Sequence, residues 1–155
     1  MTKNHSNFLD IQVLNILDNE IYLRKLQGKY IVLHFFPEND EEDNAALACD
    51  LRDYSSDIHK LKVSIVAVSI KSCKLLRMFS SKYNLSFDLW SDEDLKLMKS
   101  FGVVSERNWF GNKSIKIKRA TFILNPQGEI IKTYKHFSVK GHVERVLEFL
   151  KREVL

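Results

Sequence analysis

The sequence predicts one α/β domain with a mixed central sheet and helices on both faces. Three observations predict it. Two apolar, β-branched runs, 30–36 and 63–69, read as strands covered on both sides. Segments with helical spacing follow each run, giving strand–helix–strand units with right-handed crossovers. Late in the chain, two strand-like runs flank Asn125-Pro126-Gln127-Gly128, a turn sequence that adds antiparallel strands.

Taken in order, Ile11 to Ile16 and Glu20 to Leu23 form an N-terminal β-hairpin extension around Leu17-Asp18-Asn19. Tyr30 to Phe36 is the central strand, and Pro37 ends it because it has no N–H for the ladder. A helix is expected from Ala45 to about Lys60, with Leu47, Leu51, Tyr54 and Ile58 on one side and Asp43 or Asn44 as its cap. Val63 to Ser69 is a strand, Ser72 to Tyr83 a helix, and Leu85 to Trp90 a short strand. Ser91-Asp92-Glu93-Asp94 reads as a helix start, with acids where the dipole favours them and Gly102 as the stop. Ser105 to Lys116 is expected to be a loop carrying Trp109 and Gly111. Arg119 to Leu124 and Glu129 to Tyr134 pair antiparallel, and Gly141 to Arg152 closes the chain as an amphipathic helix. The terminal hairpin and helix favour a thioredoxin-like arrangement over a fully parallel, doubly wound sheet.

Composition sets bounds on function. A chain of 155 residues, 45% hydrophobic and 28% charged, suits one soluble domain spanning 1–155. The N-terminus is polar and no apolar run approaches the length of a membrane span, so a cytoplasmic protein without a membrane partner is expected. Cys49 and Cys73 lack CxxC spacing and the five histidines are scattered, so neither a metal site nor a cofactor is expected. No Gly-rich loop follows a strand, which removes support for nucleotide binding. Charge is uneven: 35–51 holds six acids and no Lys or Arg, whereas 111–155 holds ten Lys/Arg against four acids. Without a nucleic-acid motif or interleaved surface aromatics, a nucleic-acid partner is not expected.

Several stretches then resemble one family. They are Tyr30-Ile31-Val32-Leu33-His34-Phe35-Phe36-Pro37, Ala48-Cys49-Asp50-Leu51-Arg52-Asp53, Phe79 to Tyr83, Ser91 to Asp94, Phe101-Gly102-Val103 and Arg119 to Asn125 with Gly128. Their order and spacing are similar to the peroxiredoxins of the bacterioferritin-comigratory or Q type, in the alkyl hydroperoxide reductase/thiol-specific antioxidant superfamily. The resemblance covers nearly the whole chain and implies a thioredoxin fold. It places the family's Thr at Glu41, its peroxidatic cysteine at Asn44 and its arginine at Arg119, with Pro37 kept. Cys49 falls where some members carry a resolving cysteine.

Peroxide reduction needs a thiolate, and Asn44 has none. The resemblance therefore implies a degenerate pocket of Pro37, Glu41, Asn44 and Arg119, in which Arg119 pairs with Glu41, Glu42 or Asp43. It also implies a protein without peroxidase activity that serves in binding or structure, as a monomer or weak dimer. Two alternatives stay open. One is a thiol-dependent peroxidase of weak or relocated activity using Cys49 or Cys73, with thioredoxin as reductant. The other is an adaptor that binds a protein through the acidic 38–43 loop. Cys73 lies near a helix start, where the dipole lowers a thiol pKa, but it is read as a plain surface or core thiol.

Overall fold

The computed structural model describes residues 8–155. Its N-terminal hairpin is shorter than the apolar runs that predict it: β1 is Val13–Asn15 and β2 Glu20–Ile21, and Leu23–Leu26 winds into a 3-10 turn instead. β3 (Tyr30–Phe35) and β4 (Val63–Ser69) lie where the apolar runs put them, parallel and in register from Tyr30↔Val63 to Phe35↔Val68. β5 (Asp88–Ser91) continues the parallel set beside β4. β8 (Ala120–Leu124) runs antiparallel on the other side of β3, and β9 (Ile130–Lys135) antiparallel to β8. The result is a seven-stranded mixed sheet in the order β2-β1-β5-β4-β3-β8-β9.

Strand alternation divides the interior into two cores. Ile31, Leu33 and Phe35 of β3 face one core with Trp90, Phe101 and Phe122. Val32 and Phe36 face the other, where Leu47, Ala48, Leu51 and Ile58 meet Val143, Val146, Leu147 and Leu150. The first core is covered by α3 (Lys96–Ser100) and the N-terminal segment at Phe8 and Leu9. The second is covered by α1 (Glu41–Lys60), α2 (Cys73–Tyr83) and α4 (His142–Val154). Ser72 caps α2 by accepting from Leu75 N at 3.3 Å, as its position before a helical run predicts.

Three expectations need correction. α1 begins at Glu41 rather than Ala45, with Asp40 at its N-cap, so Asp43 and Asn44 lie inside the helix and do not cap it. The acids Glu41, Glu42 and Asp43 form its first turn, where the positive end of the helix dipole favours them. α3 begins at Lys96, after a turn in which the buried Asp92 carboxylate accepts from Leu97 N (3.3 Å) and Met98 N (2.8 Å). Third, the expected loop 105–116 is a β-hairpin, β6 (Val104–Trp109) with β7 (Asn112–Ile117), standing as its own two-stranded sheet. Both strands are mostly exposed, so no buried face leaves an apolar alternation to read.

One inward position of β3 is polar. His34 is fully buried, and its Nδ1 lies 2.8 Å from Thr121 Oγ1 on β8, which in turn lies 2.9 Å from His142 Nε2 at the start of α4. Phe137 stacks on the His142 ring at 3.6 Å between centroids. Among the described residues His34 Nε2 and His142 Nδ1 have no partner. Burial lowers the pKa of both rings, with further lowering from neighbouring cationic groups including Arg119; His142 is brought to about 4.

This relay makes stability depend on pH. An unfolded histidine takes up a proton near pH ~6.5, whereas folded His142 resists until about 4 and buried His34 is held well below its usual value, so between 6.5 and 4 the unfolded chain binds more protons. Stability is expected to fall as pH drops from 6.5 towards 4, by a few kcal/mol. Urea unfolding across that range checks it, and His142→Gln is expected to flatten the slope.

Candidate functional site at the start of α1

Pro37 closes β3 and turns the chain towards α1. Residues four apart on a helix share a face, so Asp40 at the N-cap and Asn44 one turn later point the same way. They point at Arg119. The antiparallel register of β3 and β8 pairs Phe35 with Ala120, which brings Arg119 to the end of β3 beside this turn. Arg119 Nη1 donates to Asn44 Oδ1 at 2.7 Å, and Nη2 donates to Asp40 Oδ2 at 3.1 Å.

Asn44 is buried, and its amide works in both directions. While Oδ1 accepts from Arg119, Nδ2 donates to the Pro37 carbonyl at 2.9 Å. An amide supplies a donor and an acceptor on separate atoms; an aspartate would set a charge against the Pro37 oxygen. The Arg119 side chain is 12% exposed, so its bonds are made largely out of water and count for more than surface pairs.

Of the residues grouped by sequence, the structure brings together Pro37, Asn44 and Arg119. Glu41 is not with them. It turns outward and binds Lys71 Nζ at 3.1 Å. The expected pairing of Arg119 with Glu41, Glu42 or Asp43 is therefore corrected to Asp40, because helical geometry puts positions 40 and 44 on the face that meets β8. The His34–Thr121–His142 relay lies on the same side of the sheet and escaped sequence reasoning. Its one visible signal is a histidine at an inward position of an otherwise apolar strand.

Two hollows flank the clamp. One, of about 900 Å³, opens between Asp40 and Asp43 of α1 and Arg107, Lys116, Lys118 and Lys135. The other, of about 360 Å³, lies between α1 and α2 and is lined by Phe36, Asn44, Leu76, Phe79 and Tyr83.

Both cysteines are free thiols and lie outside the clamp. Cys49 is half-buried on α1, with Arg52 one turn further on. Arg52 donates to Asp53 at 3.0 Å and to the Tyr83 carbonyl at 2.6 Å, tying α1 to the end of α2. Its cation is held mainly by Asp53. Cys73 is buried and donates its S–H to the Asn15 carbonyl at 3.2 Å. Burial first, and then Asp18, push the Cys73 thiol pKa up, in keeping with a plain core thiol rather than one activated by the helix dipole. No group of three or more His, Cys, Asp or Glu among the described residues is placed to hold a metal ion. No helix among them is long and apolar enough to cross a membrane.

Comparison with known proteins follows the same outline. The AhpC/TSA family model matches residues 5–133. Peroxiredoxin Bcp of Bacillus subtilis is 33% identical over 142 residues, covering 92% of this chain and 90% of its own. Peroxiredoxin Bcp of Escherichia coli K12 is 30% identical over 132 residues, covering 85% of each. Among solved structures, the Xanthomonas campestris bacterioferritin comigratory protein, studied for its alkyl peroxide reduction activity, superposes with a TM-score of 0.89. That match has 28% identity and covers 97% of this chain and 96% of the other. The thioredoxin-like peroxiredoxin fold is thereby established. The expectation of a protein without peroxidase activity is overturned by these matches: the relatives that cover most of the chain are peroxiredoxins, and two free thiols remain.

Removing the clamp is expected to loosen the start of α1. Asn44→Ala leaves the Pro37 oxygen and the buried face of Arg119 short of a partner, at a cost of about 1–3 kcal/mol. A double-mutant cycle with Arg119→Ala, read by urea unfolding, is expected to return a coupling of about 1 kcal/mol or more.

Proposed function

The chain belongs to the AhpC/TSA family, and on that premise we propose that it is a thiol-dependent peroxidase working through Cys49, with thioredoxin as the reductant. The observation that carries this reading is the setting of Cys49. It is the more exposed of the two thiols, half-buried on the helix whose first turn the clamp fixes. Cys73 has the opposite setting, buried and engaged with the Asn15 carbonyl.

In the proposed cycle the Cys49 thiolate attacks the outer oxygen of a hydroperoxide and the O–O bond breaks. The alkoxide or hydroxide that leaves takes a proton and departs as alcohol or water, and the sulfur is left as a sulfenic acid. One thiol of reduced thioredoxin condenses with it, releasing water. The second thioredoxin thiol then breaks the mixed disulfide, restoring Cys49 and carrying off the oxidising equivalents as the thioredoxin disulfide.

Pro37, Asn44 and Arg119 act in this reading as positioning residues. They fix the first turn of α1, and so the pose of the helix that carries Cys49. Activity against alkyl peroxides in the Xanthomonas campestris relative supports organic peroxides as a substrate class. A reducing cytoplasm, where thioredoxin keeps thiols available, is the fitting compartment.

The test is peroxide consumption by the purified chain with thioredoxin, thioredoxin reductase and NADPH, using hydrogen peroxide and cumene hydroperoxide. Turnover with both is expected, at background in Cys49→Ser and at the wild-type rate in Cys73→Ser. A sulfenic-acid trap is expected to add its mass at Cys49. No turnover by the wild-type chain, or full turnover by Cys49→Ser, overturns the reading.

A further inference from the structure

The β6–β7 hairpin takes no part in the site chemistry, yet it holds the most exposed aromatic surface among the described residues. Phe110 is 99% exposed and Trp109 beside it 57%, with ring centroids 6.4 Å apart. The two strands pair only with each other, outside the seven-stranded sheet. Phe110 and Gly111 form the two-residue turn, with φ +46° and +83°. Two positive φ values in succession make the turn type that favours Asn-Gly. An aromatic side chain in the left-handed region gains nothing locally, and here it gains no burial either. A residue that breaks the local rule without a packing return points to a use outside the fold.

Charge indicates what that use is. Arg107, Lys113, Lys116 and Lys118 lie on or next to the hairpin, whose own single acid is Glu106, and all four are exposed although Arg107, Lys116 and Lys118 also border the hollow that Asp40 and Asp43 line. Glu106 is drawn to Lys99, 3.6 Å away on α3. Among the described residues no carboxylate forms an ion pair with any of the four cations. At about 3.3 Å per strand residue, Lys113 and Arg107 sit roughly 3 and 7 Å behind the tip, and Lys116 roughly 13 Å. A bilayer presents an apolar interior beneath a polar headgroup layer several ångströms deep. Aromatic rings, tryptophan above all, settle at that boundary, and basic residues just outside it are attracted to anionic lipid.

We propose that this hairpin is a peripheral docking device for an anionic membrane surface: Trp109 and Phe110 enter the interface while Arg107, Lys113, Lys116 and Lys118 meet the headgroups. The contact is with the surface and involves no span. Single-stranded nucleic acid is the competing polyanion. The two rings are inclined by 51°, so they make a poor stacking platform.

The experiment is co-sedimentation of the full chain with vesicles of phosphatidylcholine alone, or with one-third phosphatidylglycerol, combined with tryptophan emission. Trp90 is fully buried, so a blue shift on binding reports Trp109. Binding to the anionic vesicles only is expected, with a blue shift and weakening as salt rises. Lys113→Ser/Lys116→Ser is expected to lose on the order of 30-fold in affinity. Trp109→Ser/Phe110→Ser is expected to lose stable binding while melting like the wild type, since these side chains are exposed. The proposal is overturned by equal binding to neutral vesicles, by tip-variant binding equal to wild type, or by an emission shift with a single-stranded oligonucleotide and none with vesicles.

Discussion

A guanidinium held between an amide oxygen and a carboxylate joins the C-terminal half of this sheet to its first long helix. Arg119 arrives from the residue just before β8, and Asn44 and Asp40 from one face of the start of α1. Through Asn44 the same contact reaches the Pro37 carbonyl, so the end of β3 is fixed as well. Two chain segments far apart in sequence, 37–44 and Arg119, thus meet at one polar point, on the rim of a sheet whose centre is apolar. The position of everything downstream on α1, Cys49 included, follows from where this point is pinned.

Beneath the clamp, the His34–Thr121–His142 relay places polar groups in a core that would otherwise be closed by aliphatic and aromatic packing. Thr121 has one hydroxyl to share between two rings, so it donates to one and accepts from the other. The two ring nitrogens left over are the cost of that geometry. Stacking of Phe137 on His142 excludes water from one side and keeps the relay neutral. The relay and the clamp share a charge as well as a location, since the Arg119 cation opposes protonation of both rings.

Much of the fold is legible in the residues themselves. β3 and β4 are continuous apolar runs, α2 has a serine cap and helical spacing, and Asn125 to Gly128 marks the turn between β8 and β9. What is not legible depends on geometry that spacing does not record. The early start of α1 rests on acids meeting a helix dipole, and the hairpin at 104–117 on backbone turn geometry with almost no buried face. At the site, resemblance puts Arg119 opposite Asn44, but choosing Asp40 over Glu41 requires knowing which residues share a helical face. The relay joins positions 87 and 21 residues apart, and no local pattern connects them. The whole-chain likeness outweighs the reading of one altered position.

The ends of the seven-stranded sheet have a consequence of their own. One outer strand, β2, is only two residues long, and the other, β9, carries Lys132 and Lys135. A neighbouring molecule seeking to extend the sheet meets too little backbone on one rim and positive charge on the other. Both rims therefore resist the strand-by-strand growth that leads from a crowded solution of folded chains to fibrils.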